Sequence, residues 1–436
     1  MKNAFSELLA EIIEQSDISK NEMIRVCDID RSSFFKFLSG NRIPTKEQFN
    51  KICGKLQFSP LEEKRLRMEY DRITNGEKKV ATQGKIIQFL WKLEESEKTA
   101  AVDHILLPAV SHISPDETSV NGRQKVMELL ADTIIHSANK TEGMSDVGMY
   151  FPPIVDAMLD RLLVLISGLP RDRVKIRQLI ELPSRNPDTE YMVIDRLKFA
   201  LLCASINPEV YTGYYYYANT SMAESVGVFY AYSLIAEDRV VLFNERMNKA
   251  IIISDPKCCS DYKNSFMTAL NSAKPVIKKT KMENLSKEVT SPVIFRYGSG
   301  RSKEISIGEA SVKYISPAYI RNAFEVMNDR EFEITGRNGD DETVRLLKEI
   351  RNNIGKKVFF VDERNIPPAN AWCIALSGDE KLVMYRNDSE DCLVLAEPEI
   401  VQTFYRFMEE LPGSGNLLRN DLAEEIIDDI IAHVQA

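Results

Sequence analysis

The 436-residue chain lacks several features, and each absence closes a class of function. No apolar run approaches the ~18–20 residues that a membrane-spanning helix requires. The opening stretch, MKNAFSELLAEIIEQ, carries Glu7, Glu11 and Glu14 within its apolar pattern, whereas a secretory signal has a basic start and an unbroken apolar core. A cytoplasmic protein with no membrane partner is therefore expected. Cysteine is sparse and odd in number: Cys27, Cys53, Cys203, Cys258, Cys259, Cys373 and Cys392 form no C-x-x-C pair, and no histidine stands at zinc-ligand spacing from them. This argues against a disulfide framework and a structural zinc site. Buried reduced thiols are expected, with adjacent Cys258 and Cys259 the one pair open to redox chemistry.

Catalytic signatures are missing as well. There is no G-x-S-x-G, no Walker A loop and no H-E-x-x-H. Of the four histidines, His104 sits in the apolar run DHILLP and reads as a core residue, while His112 and His136 have no sequence-local partner. Gly298-Ser299-Gly300-Arg301 reads as a polar loop rather than a phosphate turn. No cofactor or metal is expected, and the chain is not expected to be an enzyme.

What is present begins with an uneven charge. The whole chain carries −9, yet Arg31, Lys36, Arg42, Lys46, Lys51 and Lys55 face only one acid, Glu47, between residues 31 and 55. A small basic face on an acidic body suits docking on phosphates. Helical spacing of Phe5, Leu8, Leu9, Ile12 and Ile13 predicts a helix over 3–16. Ser19 and Glu22 form a capping box for a second helix to Cys27, and Asp28-Ile29-Asp30 makes a turn. Helices over 31–38, 45–56 and 61–73 follow. A polar break at 74–79 reads as a linker.

The segment SKNEMIRVCDIDRSSFFKFLSGNRIP, with its Gly-x-Arg-x-Pro exit, resembles the Cro and lambda-repressor-like helix-turn-helix class, over residues 1–73. Ile24, Ile29, Phe34 and Phe35 are expected in the core, with Leu38 nearby. The resemblance assigns Arg31, Ser32, Ser33 and Lys36 to base and backbone contacts, and Asn41 and Arg42 to phosphate contact. Asp28 stands where the family usually has glycine. A helical protein-interaction domain is the other reading of the same segment.

Beyond residue 120, strands at 147–151, 173–181, 213–218, 228–236, 239–244 and 249–254 alternate with helices at 154–167, 190–205 and 257–273, which suggests an α/β sheet. The pattern repeats at a constant offset of 142 residues. That offset pairs Arg239 with Lys381, Phe243 with Tyr385, Ile251-Ile252-Ile253 with Leu393-Val394-Leu395, and Asp255-Pro256 with Glu397-Pro398. It also carries Gly213 onto Gly355. The duplication places Ile252 and Val394 on equivalent central strands.

Each repeat, ending in a hairpin, a buried strand, an acid-Pro step and an amphipathic helix, resembles one lobe of the phospholipase D-like fold. The enzymes of that family need His-x-Lys-x4-Asp in each lobe. Here the His and Lys places hold Ala231 and Ser233, then Cys373 and Ala375, with Asp238 and Glu380 at the Asp places. The resemblance therefore implies a catalytically inactive copy. Of Tyr214-Tyr215-Tyr216-Tyr217, alternate rings face opposite sides of a strand. Tyr215, Tyr217, Asp238 and Glu380 mark the expected ligand cleft, with pairing of the acids to Arg239 and Lys381 as the structural alternative.

The expected fold class is multidomain: an all-α helix-turn-helix N-terminal domain over 1–75, a helical linker over 76–120, and a duplicated α/β, phospholipase D-like region with lobes at 121–280 and 281–436. The expected function is a sequence-specific DNA-binding transcription regulator. Its expected partners are double-stranded DNA, a second copy in a homodimer and a small-molecule effector. The alternatives are a DNA-guided phosphodiesterase or nuclease, and a protein-interaction adaptor.

Overall fold

A computed structural model of the chain describes residues 3–15, 20–55, 60–100, 118–140, 143–151, 156–183, 190–218, 232–288, 293–297, 312–317, 338–368, 372–378, 380–386 and 390–435. These fall into two compact units, Met1–Gly84 with Glu409–Arg419, and Lys85–Met408 with Asn420–Ala436.

In the first unit, helices α1 (Ala4–Gln15), α2 (Lys20–Cys27), α3 (Arg31–Leu38), α4 (Lys46–Lys55) and α5 (Pro60–Asn75) share one apolar core. Phe5, Leu8, Leu9, Ile12 and Ile13 form a single stripe along α1, and all five are buried. The Phe49 and Tyr70 rings stack with centroids 4.0 Å apart, and Phe5 meets both edge-on. Gly76, with φ of 84°, ends α5, and α6 (Glu77–Ala100) begins at the next residue. The polar break thus narrows to one glycine in the left-handed region, where any Cβ would be strained.

The second unit contains two mixed sheets. The first has the order β1-β7-β6-β5-β2-β3-β4-β8. Its strands are β1 (Ser119–Asn121), β2 (Ser145–Tyr150), β3 (Val174–Leu182), β4 (Tyr211–Tyr217), β5 (Tyr232–Ile235), β6 (Val240–Phe243), β7 (Lys249–Ile253) and β8 (Lys274–Pro275). The parallel trio β2, β3 and β4 is linked through α8 (Asp156–Ser167) and α9 (Glu190–Ile206). The remaining pairings are antiparallel. α7 (Arg123–Ala138) follows β1, and α10 (Pro256–Ser272) covers the face that carries Tyr150, Leu179, Tyr216 and Leu242.

The second sheet has the order β12-β11-β10-β13-β14-β15-β9. Its strands are β9 (Ile277–Lys281), β10 (Val293–Tyr297), β11 (Val312–Ile315), β12 (Val358–Phe360), β13 (Trp372–Ser377), β14 (Lys381–Arg386) and β15 (Asp391–Leu395). Strand for strand, β10 to β15 follow the neighbour order and sense of β2 to β7. Val241 pairs with Ile252 and Val383 with Val394, so the 142-residue offset holds at both partners. β7 and β15 are each second from a sheet edge, however, and not central as expected. The offset also fails elsewhere. Gly213 lies inside β4 opposite Gln178, whereas Gly355 sits in the turn before β12 with φ of 73°.

The acid-Pro steps have a mechanical reason. Asp255 caps α10 by accepting the Cys258 N–H at 2.9 Å, and Glu397 caps the helix Pro398–Glu410 by accepting the Ile400 N–H at 2.7 Å. Each satisfies one of the free N–H groups of a helix start, and proline is well suited to the first helical position.

The fold class read from the sequence is corrected. The chain is mixed α/β, with helices throughout and two large mixed sheets. The N-terminal helices do not close off as an all-α domain over 1–75. Their unit extends to Gly84 and takes in Glu409–Arg419. Glu410 accepts from Gln83 at 2.9 Å, and the Gly415 backbone lies so close to Arg67 that an added Cβ would meet the Arg67 Cδ at 2.3 Å. Apolar periodicity specifies a helix and its buried face, but it carries no information about a remote segment that completes the packing.

One glycine gives a direct test of the first sheet. A Cβ on Gly148 of β2 would stand 2.9 Å from two ring carbons of Phe266 on α10. Gly148→Ala should therefore lower the unfolding free energy by about 1–3 kcal/mol through overpacking, measured by denaturant titration. A variant as stable as the parent would contradict this packing.

Candidate nucleic-acid interface

α3 is fixed at both ends. Asp30 caps its start by accepting the Ser33 N–H at 2.8 Å. Hydrogen bonds from the Ser33 side chain and backbone, with Arg42 nearby, hold the Asp30 carboxyl below its ordinary value. At the other end Gly40, with φ of 75°, lets the chain turn back, and the Asn41 N–H donates to the Lys36 carbonyl at 3.0 Å. Arg42 then reaches back along the helix and donates from Nη1 to Ser33 Oγ at 3.1 Å. Tyr70 Oη donates to the Pro44 carbonyl at 3.0 Å. The Gly-x-Arg-x-Pro exit is thus tied to the start of α3 through Arg42 and to α5 through Pro44.

Arg31, Ser32, Lys36, Asn41 and Arg42 are exposed. Ser33 is buried, 5% exposed, and is occupied with Asp30 and Arg42, so it shapes the surface without forming part of it. Phe34, Phe37 and Leu38 fill the core, and Phe35 does not: it is 41% exposed, with the Arg31 guanidinium 5.8 Å from its ring centroid. A helix buries positions i, i+3 and i+4 together, so Phe34 selects Phe37 and Leu38 as its partners and turns Phe35 outward. Asp28 takes φ of 53°, the left-handed conformation that the family's glycine would supply.

Three nearby cations are held in ion pairs. Lys20 and Arg25 pair with Glu14 and Glu22, and Lys51 pairs with Asp28 and Glu47, at 3.6–3.9 Å. Arg31, Lys36 and Arg42 form no ion pair among the described residues.

The four residues expected to line a ligand cleft are not gathered in one place. Tyr215 and Tyr217 share the face of β4 opposite Tyr216. Tyr215 is buried, its ring 5.9 Å from that of Tyr217, and Tyr217 Oη donates to Glu397 at 2.5 Å. Asp238 lies in the β5–β6 turn, which the antiparallel register carries past Ile235 toward the N-terminal ends of β2 and β3. Tyr217 ends β4 at the opposite end of the sheet. Asp238 meets His136 at 3.1 Å, Arg239 at 3.7 Å and Lys140 at 4.0 Å. Partial burial works to raise its carboxyl, and Arg239, Lys140 and His136 together outweigh that and hold it low. Glu380 is exposed in the β13–β14 turn. Of the residues at the catalytic places, Cys373 and Ala375 are buried in β13, Ser233 is opposite Tyr150, and Ala231 lies outside the described residues.

A different cluster sits at the C-terminal ends of the parallel strands. Tyr150 and Tyr216 donate to one oxygen of Glu181, at 3.0 and 2.9 Å. Burial pushes both hydroxyls well above their ordinary values, so they stay protonated donors. The tyrosine run was the available signal, but on it Tyr216, not Tyr215 or Tyr217, carries this contact. Among the cysteines, only Cys258 is exposed, and the Asp255 carboxylate that bonds it pushes its thiol up, away from the reactive thiolate. His104, His112 and Gly298-Ser299-Gly300-Arg301 lie outside the described residues. Among the described residues no group of three metal-ligating side chains occurs, and no helix is long and apolar enough to cross a membrane.

No family model and no curated protein matches the chain. Solved structures similar to it include TrmBL2, an archaeal chromatin protein whose structure shows a novel mode of DNA binding, at 12% identity and a TM-score of 0.24, covering 63% of this chain and 94% of that one. Phosphatidylserine synthase of Haemophilus influenzae Rd KW20 is similar at 9% identity and a TM-score of 0.23, covering 73% and 92%. Polyphosphate kinase from Porphyromonas gingivalis is similar at 9% identity and a TM-score of 0.22, covering 72% and 54%. Scores of this size carry no argument about fold or function.

Proposed function

We propose that the protein is a sequence-specific DNA-binding transcription regulator that meets double-stranded DNA through the exposed face of α3 and its exit. The observation that carries this reading is the set of exposed cations Arg31, Lys36 and Arg42 on α3 and its exit, which form no ion pair among the described residues, whereas Lys20, Arg25 and Lys51 of the same unit are paired. Desolvating an unpaired cation against a phosphate costs no existing ion pair. Release of counterions from the DNA then supplies the driving force. Two-fold dimerisation fits the reading, since paired half-sites share the affinity. The sheet-bearing unit would sense an effector and support that dimer.

A catalytic role is not part of the proposal. Ala231, Ser233, Cys373 and Ala375 offer neither a phosphorus nucleophile nor a cation for a phosphate oxygen. Phosphodiesterase turnover lost in Asp238→Asn would overturn this part.

The test is fluorescence anisotropy on a labelled duplex as a function of salt. If Lys36 and Arg42 neutralise phosphates, each alanine variant should weaken binding to all sequences alike and flatten the log K against log salt slope by about 1. Parent-like slopes for both would remove these residues from the interface.

A further inference from the structure

We propose that Phe35 reads the 5-methyl group of a thymine, with Arg31 held over its ring to read an adjacent guanine. The inference deepens the DNA-binding reading and rests on it.

Five large apolar side chains are exposed among the described residues, and three of them, Val26 at 42%, Phe35 at 41% and Ile43 at 37%, fall at the end of α2, on α3 and just after α3. Scattered exposed apolar residues need no explanation, but three gathered around one eight-residue helix do. Phe35 lies within the exposed arc of α3, one turn from Arg31 and beside Lys36. Cations on both sides suit a polyanion better than an apolar protein surface, and the one apolar group in the major groove is the thymine methyl.

The contact with Arg31 adds a second element. At 5.8 Å from the ring centroid the guanidinium lies within cation–π range of Phe35, and this contact uses none of its N–H groups as hydrogen-bond donors. Those groups match the O6 and N7 acceptors of guanine. The ring thus limits where the guanidinium can go, and both groups reach the groove from adjacent turns of one helix.

The experiment uses the full chain and a library of random duplexes, made once with thymine and once with uracil, which lacks only the methyl group. Wild type should enrich a guanine beside a thymine and lose about fourfold in affinity when that thymine becomes uracil, the worth of roughly one buried methyl. Phe35→Ala should bind the uracil and thymine duplexes equally and show a weakened guanine preference, while Phe35→Leu should keep part of the methyl preference. Wild type indifferent to uracil at every position, or Phe35→Ala as sensitive as wild type, would overturn the inference and leave DNA binding by α3 standing. Failure to bind any duplex would overturn the DNA-binding reading itself.

Discussion

Arg31→Ala, Lys36→Ala and Arg42→Ala combined are expected to lower affinity for a selected duplex by about 10²–10³-fold at moderate salt and to reduce the salt slope by about 2, from the two phosphate contacts of Lys36 and Arg42. The three side chains are exposed, so their removal leaves the core untouched. The chain carries −9 overall, and the loss of three positive charges leaves the remaining surface still less able to hold DNA. Arg42 has a second role, because its bond to Ser33 Oγ ties the exit loop to the start of α3. Circular dichroism should match the parent, and the stability read from thermal unfolding should fall only by the loss of the Arg42–Ser33 bond, about 0.5–1.5 kcal/mol. Unchanged affinity with an unchanged slope would remove α3 from the interface.

The other large effect concerns the support beneath that surface. Phe34 is fully buried on α3, in the core built from Phe5, Leu9, Met23, Cys27, Phe37 and Phe49. Phe34→Ala removes a large ring from a site closed by several helices that cannot all collapse inward. The expected cost is about 3–5 kcal/mol in the transition that reports this core. DNA binding should fall with it, because Asp30, Ser33 and Arg42 all depend on the seating of α3. Phe35→Ala, one residue away, should leave that transition within about 0.5 kcal/mol of the parent. Equal losses from the two substitutions would show that the helix is rotated from the orientation described.

Phe34 and Phe35 also show what the sequence made legible and what it did not. The helix and its glycine exit are readable from residue types with fixed local chemistry, whereas Asp30, read as part of a turn, also caps the helix. Phe34, Phe37 and Leu38 together fix a buried arc that leaves Phe35 beyond its edge, and Phe37 fills the place given to Phe35. In the sheets, runs such as Ala250 to Ile253 and Cys392 to Leu395 marked strands because β-branched and aliphatic residues alternate with turn signals around them. The offset that linked them held along the hairpins, where register is local. It failed at Gly213 and Gly355, where helices and loops of different length intervene.

The expected cleft failed for a related reason. Motif position groups residues that the fold keeps apart: Tyr217 ends a strand and Asp238 turns a hairpin at the other end of the same sheet. The extension of the N-terminal unit to Glu409–Arg419 had no sequence signal at all, because no pattern within 1–84 specifies a partner segment more than three hundred residues away.

The most direct test of docking through α3 is methylation interference at guanine N7, which lies in the major groove, on a duplex selected by the full-length protein. Binding should be blocked by methylation of a guanine in each half-site, and Arg31→Ala should become indifferent to that methylation while remaining sensitive at other guanines. Interference absent from every guanine of a tightly bound, guanine-containing site, or an Arg31→Ala pattern identical to that of the parent, would contradict the account.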